Sequence, residues 1–240
     1  MNIVALIPAR AGSSLKDKNI YPLGGYPLLA WSIACAKMSC HIFNVCVYTD
    51  SPEYGKIARP YGAGWLIDDN PLIGKVPNHV FIKEWLNKWE SIGKPEDPVA
   101  KVDYVVILWA TTPLRDVKYV DAAITGFMVS KATSLKSVIE MSESAYKAMK
   151  IENGWLCSLS GDTANIPRQQ IPKTYHPNGY VDIMRGDLIR EGKGWGDKVL
   201  PFLCDDVGEI DTANDIKQVE RLLAEGVGGS VLEHLRIAYP

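Results

Sequence analysis

The chain has 240 residues, 47% of them apolar and 22% charged, which is enough to build a core within one domain and excludes a disordered or fibrous protein. Its 26 Lys+Arg nearly balance 28 Asp+Glu, for a net charge of −2, and this excludes a general nucleic-acid or polybasic membrane binder while leaving room for a local phosphate pocket. No apolar run approaches the ~18 residues that span a bilayer.

Residues 2–8 are a continuous apolar run, as a parallel strand buried on both faces requires. No basic segment precedes the run, and Arg10 and a Gly/Ser loop follow at once. It therefore reads as a strand rather than a signal peptide, and a cytoplasmic protein is expected. The pattern next predicts a helix over 27–37, with Pro27 near its start, and a Val-rich strand over 44–49 that ends at Asp50. A short helix over 52–61 and a short strand over 64–67 follow, then a polar loop over 68–76. Residues 78–89 are amphipathic, with Val80, Phe81, Trp85, Leu86 and Trp89 on one face. A buried strand over 104–109, a helix over 117–130 and a strand over 134–141 continue the alternation. Such alternation predicts an α/β fold with a doubly wound, mostly parallel sheet and helices on both faces.

The pattern changes over 142–177, where no long amphipathic helix is written. Segments 148–151 and 155–159 flank Glu152-Asn153-Gly154, and Asn-Gly is a hairpin signal. An inserted arm that serves as a homodimer contact is expected here. Strands over 179–185 and 199–203 and a helix over 213–224 complete a domain over 1–225. The tail, 226–240, reads as a flexible Gly-rich joint (226–230) and a short helix over 231–238.

Five cysteines (Cys35, Cys40, Cys46, Cys157 and Cys204) include no C-x-x-C pair and read as small buried hydrophobes of a reducing compartment. Four histidines (His41, His79, His176 and His234) lack metal-ligand spacing, which argues against a zinc site.

The first strand runs into Pro8-Ala9-Arg10-Ala11-Gly12-Ser13-Ser14-Leu15-Lys16-Asp17-Lys18-Asn19. Ligands of doubly wound sheets bind beyond the carboxyl ends of strands. Gly12, two hydroxyls, free N–H groups and the cations Arg10, Lys16 and Lys18 suit a polyphosphate. The alternative is an ordinary solvated loop, since neither the P-loop nor the dinucleotide motif is present. Glu209 and Asp211 are two apart, and on extended backbone they point to one side. Two carboxylates facing a triphosphate make a Mg²⁺ site; alternatively, Asp211 caps the helix that follows.

Four further stretches join the loop: Tyr48-Thr49-Asp50-Ser51, Thr111-Thr112-Pro113-Leu114-Arg115, Arg168-Gln169-Gln170-Ile171-Pro172 with Asn178-Gly179, and Glu209-Ile210-Asp211-Thr212. In this order they resemble the cytidylyltransferases that activate acidic sugars. The nearest branch is that of the acylneuraminate (CMP-sialic acid) synthetases, including the bacterial enzymes for legionaminic- and pseudaminic-type sugars. The resemblance covers about residues 2–224. It implies a CTP-dependent enzyme that needs Mg²⁺: the anomeric hydroxyl of a 2-keto sugar acid attacks the α-phosphorus of CTP, giving a CMP-sugar and pyrophosphate. It implies that Arg10 and Lys18 hold the triphosphate, that Ala11, Gly12, Ser13, Ser14, Asn19 and Thr111 complete the nucleotide site, and that Glu209 and Asp211 hold the metal. Arg10, Lys18 and Asp211 become the catalytic set, and Trp109, Arg168, Gln169, Asn178 and Gly179 the sugar-binding set.

Several positions depart from the family pattern. The loop is one residue shorter between Arg10 and Lys18 and lacks a Pro. Glu209 stands for the usual Asp. Trp109 stands for a Gln; it stacks on a ring, narrows the sugar pocket, or belongs to the core. Asp182 is new and suggests a different sugar or an amino substituent on it. The 68–78 segment lacks the family's base-binding residues. Asp50 reads as structural. A synthetase for the eight-carbon keto-deoxy acid, a phosphonate cytidylyltransferase and a catalytically silent binding protein remain as alternatives.

Overall fold

The structure is a computed structural model that describes residues 1–12, 15–70, 75–93, 101–161 and 165–240. Its centre is a seven-stranded sheet. In chain order the strands are β1 (Ile3–Pro8), a small hairpin of β2 (Pro22–Leu23) and β3 (Tyr26–Pro27), β4 (Asn44–Thr49), β5 (Gly64–Ile67), β6 (Tyr104–Ile107), β7 (Ser134–Glu140), a second hairpin of β8 (Met149–Glu152) and β9 (Trp155–Ser158), β10 (Tyr175–Arg185) and β11 (Val199–Leu203). The helices are α1 (Leu28–Met38), α2 (Pro52–Ala58), α3 (Asn78–Ile92), α4 (Val117–Val129), α5 (Gly186–Glu191), α6 (Ala213–Ala224) and α7 (Gly229–Ala238). The sheet order is β11-β7-β10-β6-β1-β4-β5. Pairing is parallel except at β10, which runs antiparallel to both β6 and β7. The expected α/β, mostly parallel architecture is the one observed.

The continuous apolar run of β1 follows from its central position, because successive side chains enter opposite layers. Ile3, Ala5 and Ile7 join the core formed with α1, α4, α6 and α7. Val4 and Leu6 join the core on the other face, with Ile82, Trp85 and Leu86 of α3 and Leu188 and Ile189 of α5. The i, i+3, i+4 spacing of the three α3 residues is the stripe a one-sided helix buries.

In place of the expected flexible joint over 226–230, residues 226–228 form a hydrogen-bonded turn and 229–230 already belong to α7, with Gly226 N–H bonded to Leu223 O and Val227 N–H to Leu222 O. The helix beyond it is docked: Val231 and Leu235 are fully buried, and Tyr239 OH donates to Tyr61 O. Of the five cysteines only Cys35 and Cys46 are buried; Cys40 is exposed, and Cys157 and Cys204 are half-buried. Among the described residues no helix is long and apolar enough to cross a membrane.

Candidate active site

Parallel β1, β4 and β6 end at one edge of the sheet, so the segments following Pro8, Thr49 and Ile107 meet there. The loop after β1 is held from behind at three points. Ala11 N–H donates to Asp50 Oδ1 at 2.8 Å. The Asn19 amide donates to Arg10 O at 2.8 Å, and Tyr54 OH donates to Asp17 Oδ1 at 3.1 Å. Asp17 takes the left-handed conformation, φ 55°, at this anchor. Asp50 is therefore structural, as expected. Asn19 is buried and shapes the loop from inside, and the Ala11 N–H is already engaged. Gly12 does not have a positive φ; a Cβ there would meet nothing within 4 Å, so the loop is open on that side. Ser13 and Ser14 lie outside the described residues.

Arg10 is exposed at the mouth of a cavity of ≈ 90 Å³, walled also by Pro8, Tyr48, Asp68, Val76, Asn78, Phe81 and Trp109. Asp68 is buried, and this burial raises its carboxyl pKa. The Trp109 and Phe81 rings meet edge to face at 6.2 Å. Trp109 thus forms a wall of the cavity. Its ring is fixed from behind, with Nε1 donating to Asp182 Oδ2 at 3.2 Å. Asp182 is only 3% exposed, and Lys136 Nζ stands 3.5 Å from the same oxygen. The sequence-based idea that Asp182 greets a sugar substituent gives way to a positioning role behind Trp109. Burial raises its pKa, with Lys136 opposing.

Lys18 is buried and its ammonium pairs with Asp211 Oδ1 at 2.7 Å. Asp211 does not cap the following helix. Thr212 is the cap, and Asp215 Oδ2 accepts from the Asp211 and Thr212 N–H groups in a capping box. Between the two carboxylates Ile210 is fully buried while Glu209 and Asp211 are exposed, so both acids leave the core on one side. Desolvation and the Asp211 charge push Glu209 up from the usual carboxylate value. Thr111 Oγ1 donates to Glu209 Oε1 at 3.2 Å, and Thr111 O accepts from Ile210 N–H at 2.8 Å, tying this strip to the segment after β6.

Arg115 has no role that its sequence context assigns. It is fully buried and acts as a rivet. Its guanidinium donates to the carbonyls of Trp109, Thr112, Gly179 and Tyr180 and to Ser32 Oγ. Burial lowers its pKa to about 10, so it stays charged at neutral pH. Gly179 must be glycine: it sits at φ +65°, and a Cβ would stand 3.1 Å from Thr112 Oγ1 and 3.4 Å from Trp109 Cδ1. Asn178 is turned inward, donating to Cys204 Sγ and accepting from Tyr180 N–H. Arg168 and Gln169 line a different cleft, with Glu140, Ser144 and Lys173, that shares no wall residue with the Arg10–Trp109 cavity. Within one chain the structure therefore brings together Arg10, Lys18, Trp109, Thr111, Gly179, Glu209 and Asp211, and leaves Arg168 and Gln169 apart. The only sequence signal for Arg115 was its place beside Pro113 and Leu114 in a recognised stretch.

Residues 4–72 match the cytidylyltransferase family. The chain is 32% identical over 214 residues to an N-acylneuraminate cytidylyltransferase of Escherichia coli O18:K1:H7, a match that covers 87% of this chain and 48% of that protein. The chain thus spans about half the length of that relative. It is 28% identical over 240 residues to a CMP-N,N'-diacetyllegionaminic acid synthase of Legionella pneumophila, covering 93% of this chain and 97% of the relative. Among solved structures, a CMP:2-keto-3-deoxy-manno-octonic acid synthetase complexed with CTP superposes with a TM-score of 0.71 at 15% identity, over 94% of this chain and 100% of that one, a likeness of fold. Residues 4–72 thus carry the cytidylyltransferase match, and most of the chain is similar to cytidylyltransferases of nonulosonic acids.

Proposed function

We propose that this protein transfers CMP from CTP to the anomeric hydroxyl of a nonulosonic, sialic-type 2-keto sugar acid and releases pyrophosphate. The observation that carries the proposal is the meeting of Arg10, the Lys18–Asp211 pair and Glu209 beyond the carboxyl end of β1. The similarity to acylneuraminate and legionaminic acid enzymes supplies the class of acceptor.

The chemistry asks for positioning and charge neutralisation rather than a covalent intermediate. Arg10, exposed and without an ion pair among the described residues, faces the phosphates. Lys18 is held at the same edge by Asp211 and exchanges that carboxylate for a phosphate oxygen when CTP enters. The cavity lined by Trp109, Phe81 and Tyr48 takes the base, with Asp68 as an acceptor for an exocyclic amino group. The donor set fits a divalent cation, because Glu209 and Asp211 share one side and Glu209 already feels the Asp211 charge. Glu209 and Asp211 hold Mg²⁺, which when bound neutralises phosphate charge and orients the leaving group. Gly179 lets the β10 backbone pack closely against Thr112 and Trp109, which fixes that wall of the site. Arg168 and Gln169 are further contacts for the acid in this proposal.

The arm over 142–177 exposes Ile151 (78%), Trp155 (77%) and Leu156 (63%) on the β8–β9 hairpin. Ile151 and Leu156 pair on one face of the hairpin and Trp155 stands on the other, and a second copy of the chain covers the hairpin in the proposal. The double variant Ile151→Lys, Trp155→Glu is expected to run at the monomer mass by light scattering while the parent runs as a dimer; a parent of monomeric mass contradicts the assignment. The remaining parts of the proposal are a domain over 1–225 closed by the 226–240 segment and a cytoplasmic location, the latter supported by five unpaired cysteines. The test of the activity is incubation with CTP, Mg²⁺ and a panel of 2-keto sugar acids. Pyrophosphate release with at least one nonulosonic acid is expected. Release with none of them, from protein that binds CTP, contradicts the choice of acceptor.

A further inference from the structure

The geometry points to a second metal site, remote from the nucleotide, in which Cys40, His41 and Asp121 hold a zinc ion. Cys40 and His41 lie on the turn between α1 and β4, and Asp121 lies on α4. One ligand atom from each, the Cys40 sulfur, an imidazole nitrogen and an Asp121 oxygen, lie within 4.8 Å of one another. Tetrahedral zinc with bonds of about 2.0–2.3 Å sets its ligand atoms roughly 3.3–3.7 Å apart. Cys40 Sγ already stands 3.4 Å from Asp121 Oδ2. The remaining approach is within the reach of an exposed cysteine and a half-buried histidine.

The surroundings orient these ligands as an outer shell does. Ser39 Oγ donates to the other oxygen of Asp121 and accepts from His41 N–H, so the carboxylate turns Oδ2 toward Cys40. Thr125, one helical turn beyond Asp121, meets His41 Nε2 at 3.1 Å. One sulfur, one nitrogen and one oxygen select a borderline-soft ion over Mg²⁺, which keeps to oxygen donors. On binding, the Cys40 thiol gives its proton to solvent and the thiolate takes the metal; a water fills the fourth position. The motif is invisible to spacing rules because Asp121 comes from a distant helix.

The turn precedes β4, which starts at Asn44 opposite Val4, so the site is at the amino ends of the strands. The Arg10 loop leaves the carboxyl ends, roughly 17 Å away along the strand at ~3.3 Å per residue. The ion therefore ties the α1–β4 turn to α4 and takes no part in nucleotidyl transfer.

Titration of the full-length protein with Co²⁺ and Zn²⁺, without nucleotide, tests the site. One equivalent of Co²⁺ is expected to bind with a thiolate-to-cobalt charge-transfer band, and Zn²⁺ is expected to displace it and raise the melting temperature. Cys40→Ser is expected to abolish the band, whereas Cys157→Ser and Cys204→Ser keep it. His41→Gln and Asp121→Asn are expected to weaken Zn²⁺ binding at least tenfold while the metal-free melting temperature stays near that of the parent. No thiolate band in the parent, a band that survives Cys40→Ser, or metal binding lost only in Glu209→Gln overturns the proposal. The last outcome places the ion in the nucleotide site and leaves the transferase proposal standing.

Discussion

Replacing Arg115 by Ala is expected to destabilise the protein by about 3–5 kcal/mol, the cost of breaking a buried charged network. The guanidinium donates to four backbone carbonyls and one hydroxyl in a fully buried position. Truncation removes one donor from each of those carbonyls, although Trp109 O keeps the Thr112 N–H and the Ser32 hydroxyl, and each buried group left orphaned costs about 1–3 kcal/mol before water enters. Against a typical stability of about 5–15 kcal/mol this is a large fraction. Arg115→Lys recovers little, since an ammonium presents no planar fork to reach carbonyls on both the post-β6 segment and β10. Urea unfolding monitored by tryptophan fluorescence checks the result. A midpoint within error of the parent would show that the network contributes nothing. Because the carbonyls belong to Trp109, Thr112, Gly179 and Tyr180, partially folded variants are also expected to lose the shape of the cavity wall.

The second large effect falls on turnover. Arg10→Ala and Asp211→Ala are each expected to reduce turnover at least 100-fold, equivalent to about 2.7 kcal/mol of transition-state stabilisation. Both side chains are exposed, so neither change is expected to unfold the protein. Asp211→Ala removes a metal carboxylate and the Lys18 partner together. The neighbouring Glu209 adds a pH signature. Although the residue is exposed, partial desolvation of its carboxyl and the Asp211 charge push it up, so it takes up a proton at a higher pH than an ordinary glutamate. Metal binding needs the charged form and therefore falls as pH falls through that raised value. The acid limb of the rate profile is expected above the usual glutamate range, and Glu209→Gln is expected to remove it along with most of the activity. Full turnover in both Arg10→Ala and Asp211→Ala would show that the site lies elsewhere.

Much of the fold could be read directly from residue patterns. The continuous apolar run of β1 marked a strand with two buried faces, and Trp85, Leu86 and their neighbours marked the one-sided α3. Asn153 and Gly154 both adopt positive φ, 52° and 82°, as a two-residue hairpin demands. The reversal of β10 was not legible, because a strand's direction follows from the path of the chain and its alternation looks the same either way. Its first residues, Tyr175–Asn178, escaped notice because most of them are exposed and Pro177 sits at an irregular register. The short α5 and the β2–β3 hairpin are too brief for a period to show.

The site divides in the same manner. The cations and Gly12 of the first loop, and the i, i+2 carboxylates, announced themselves by local spacing. Asp182 behind Trp109 and Arg115 beneath β10 are long-range partners that only the sheet brings together. Asp182 reads as a substrate contact from the sequence because it departs from the pattern of the family that the chain resembles. Its explanation is an indole N–H that comes from another strand's end.

Ligand-induced stabilisation tests the central claim most directly. Thermal unfolding is recorded with CTP, UTP, ATP and GTP, each with and without Mg²⁺. A nucleotide at about 100 times its Kd adds ~2.7 kcal/mol of stability, a readily visible shift. The predicted result is a shift with CTP alone, enlarged by Mg²⁺ and lost in Arg10→Ala. An equal shift with all four nucleotides, or none with any of them, would contradict a cytidine-specific transferase site at the carboxyl end of β1.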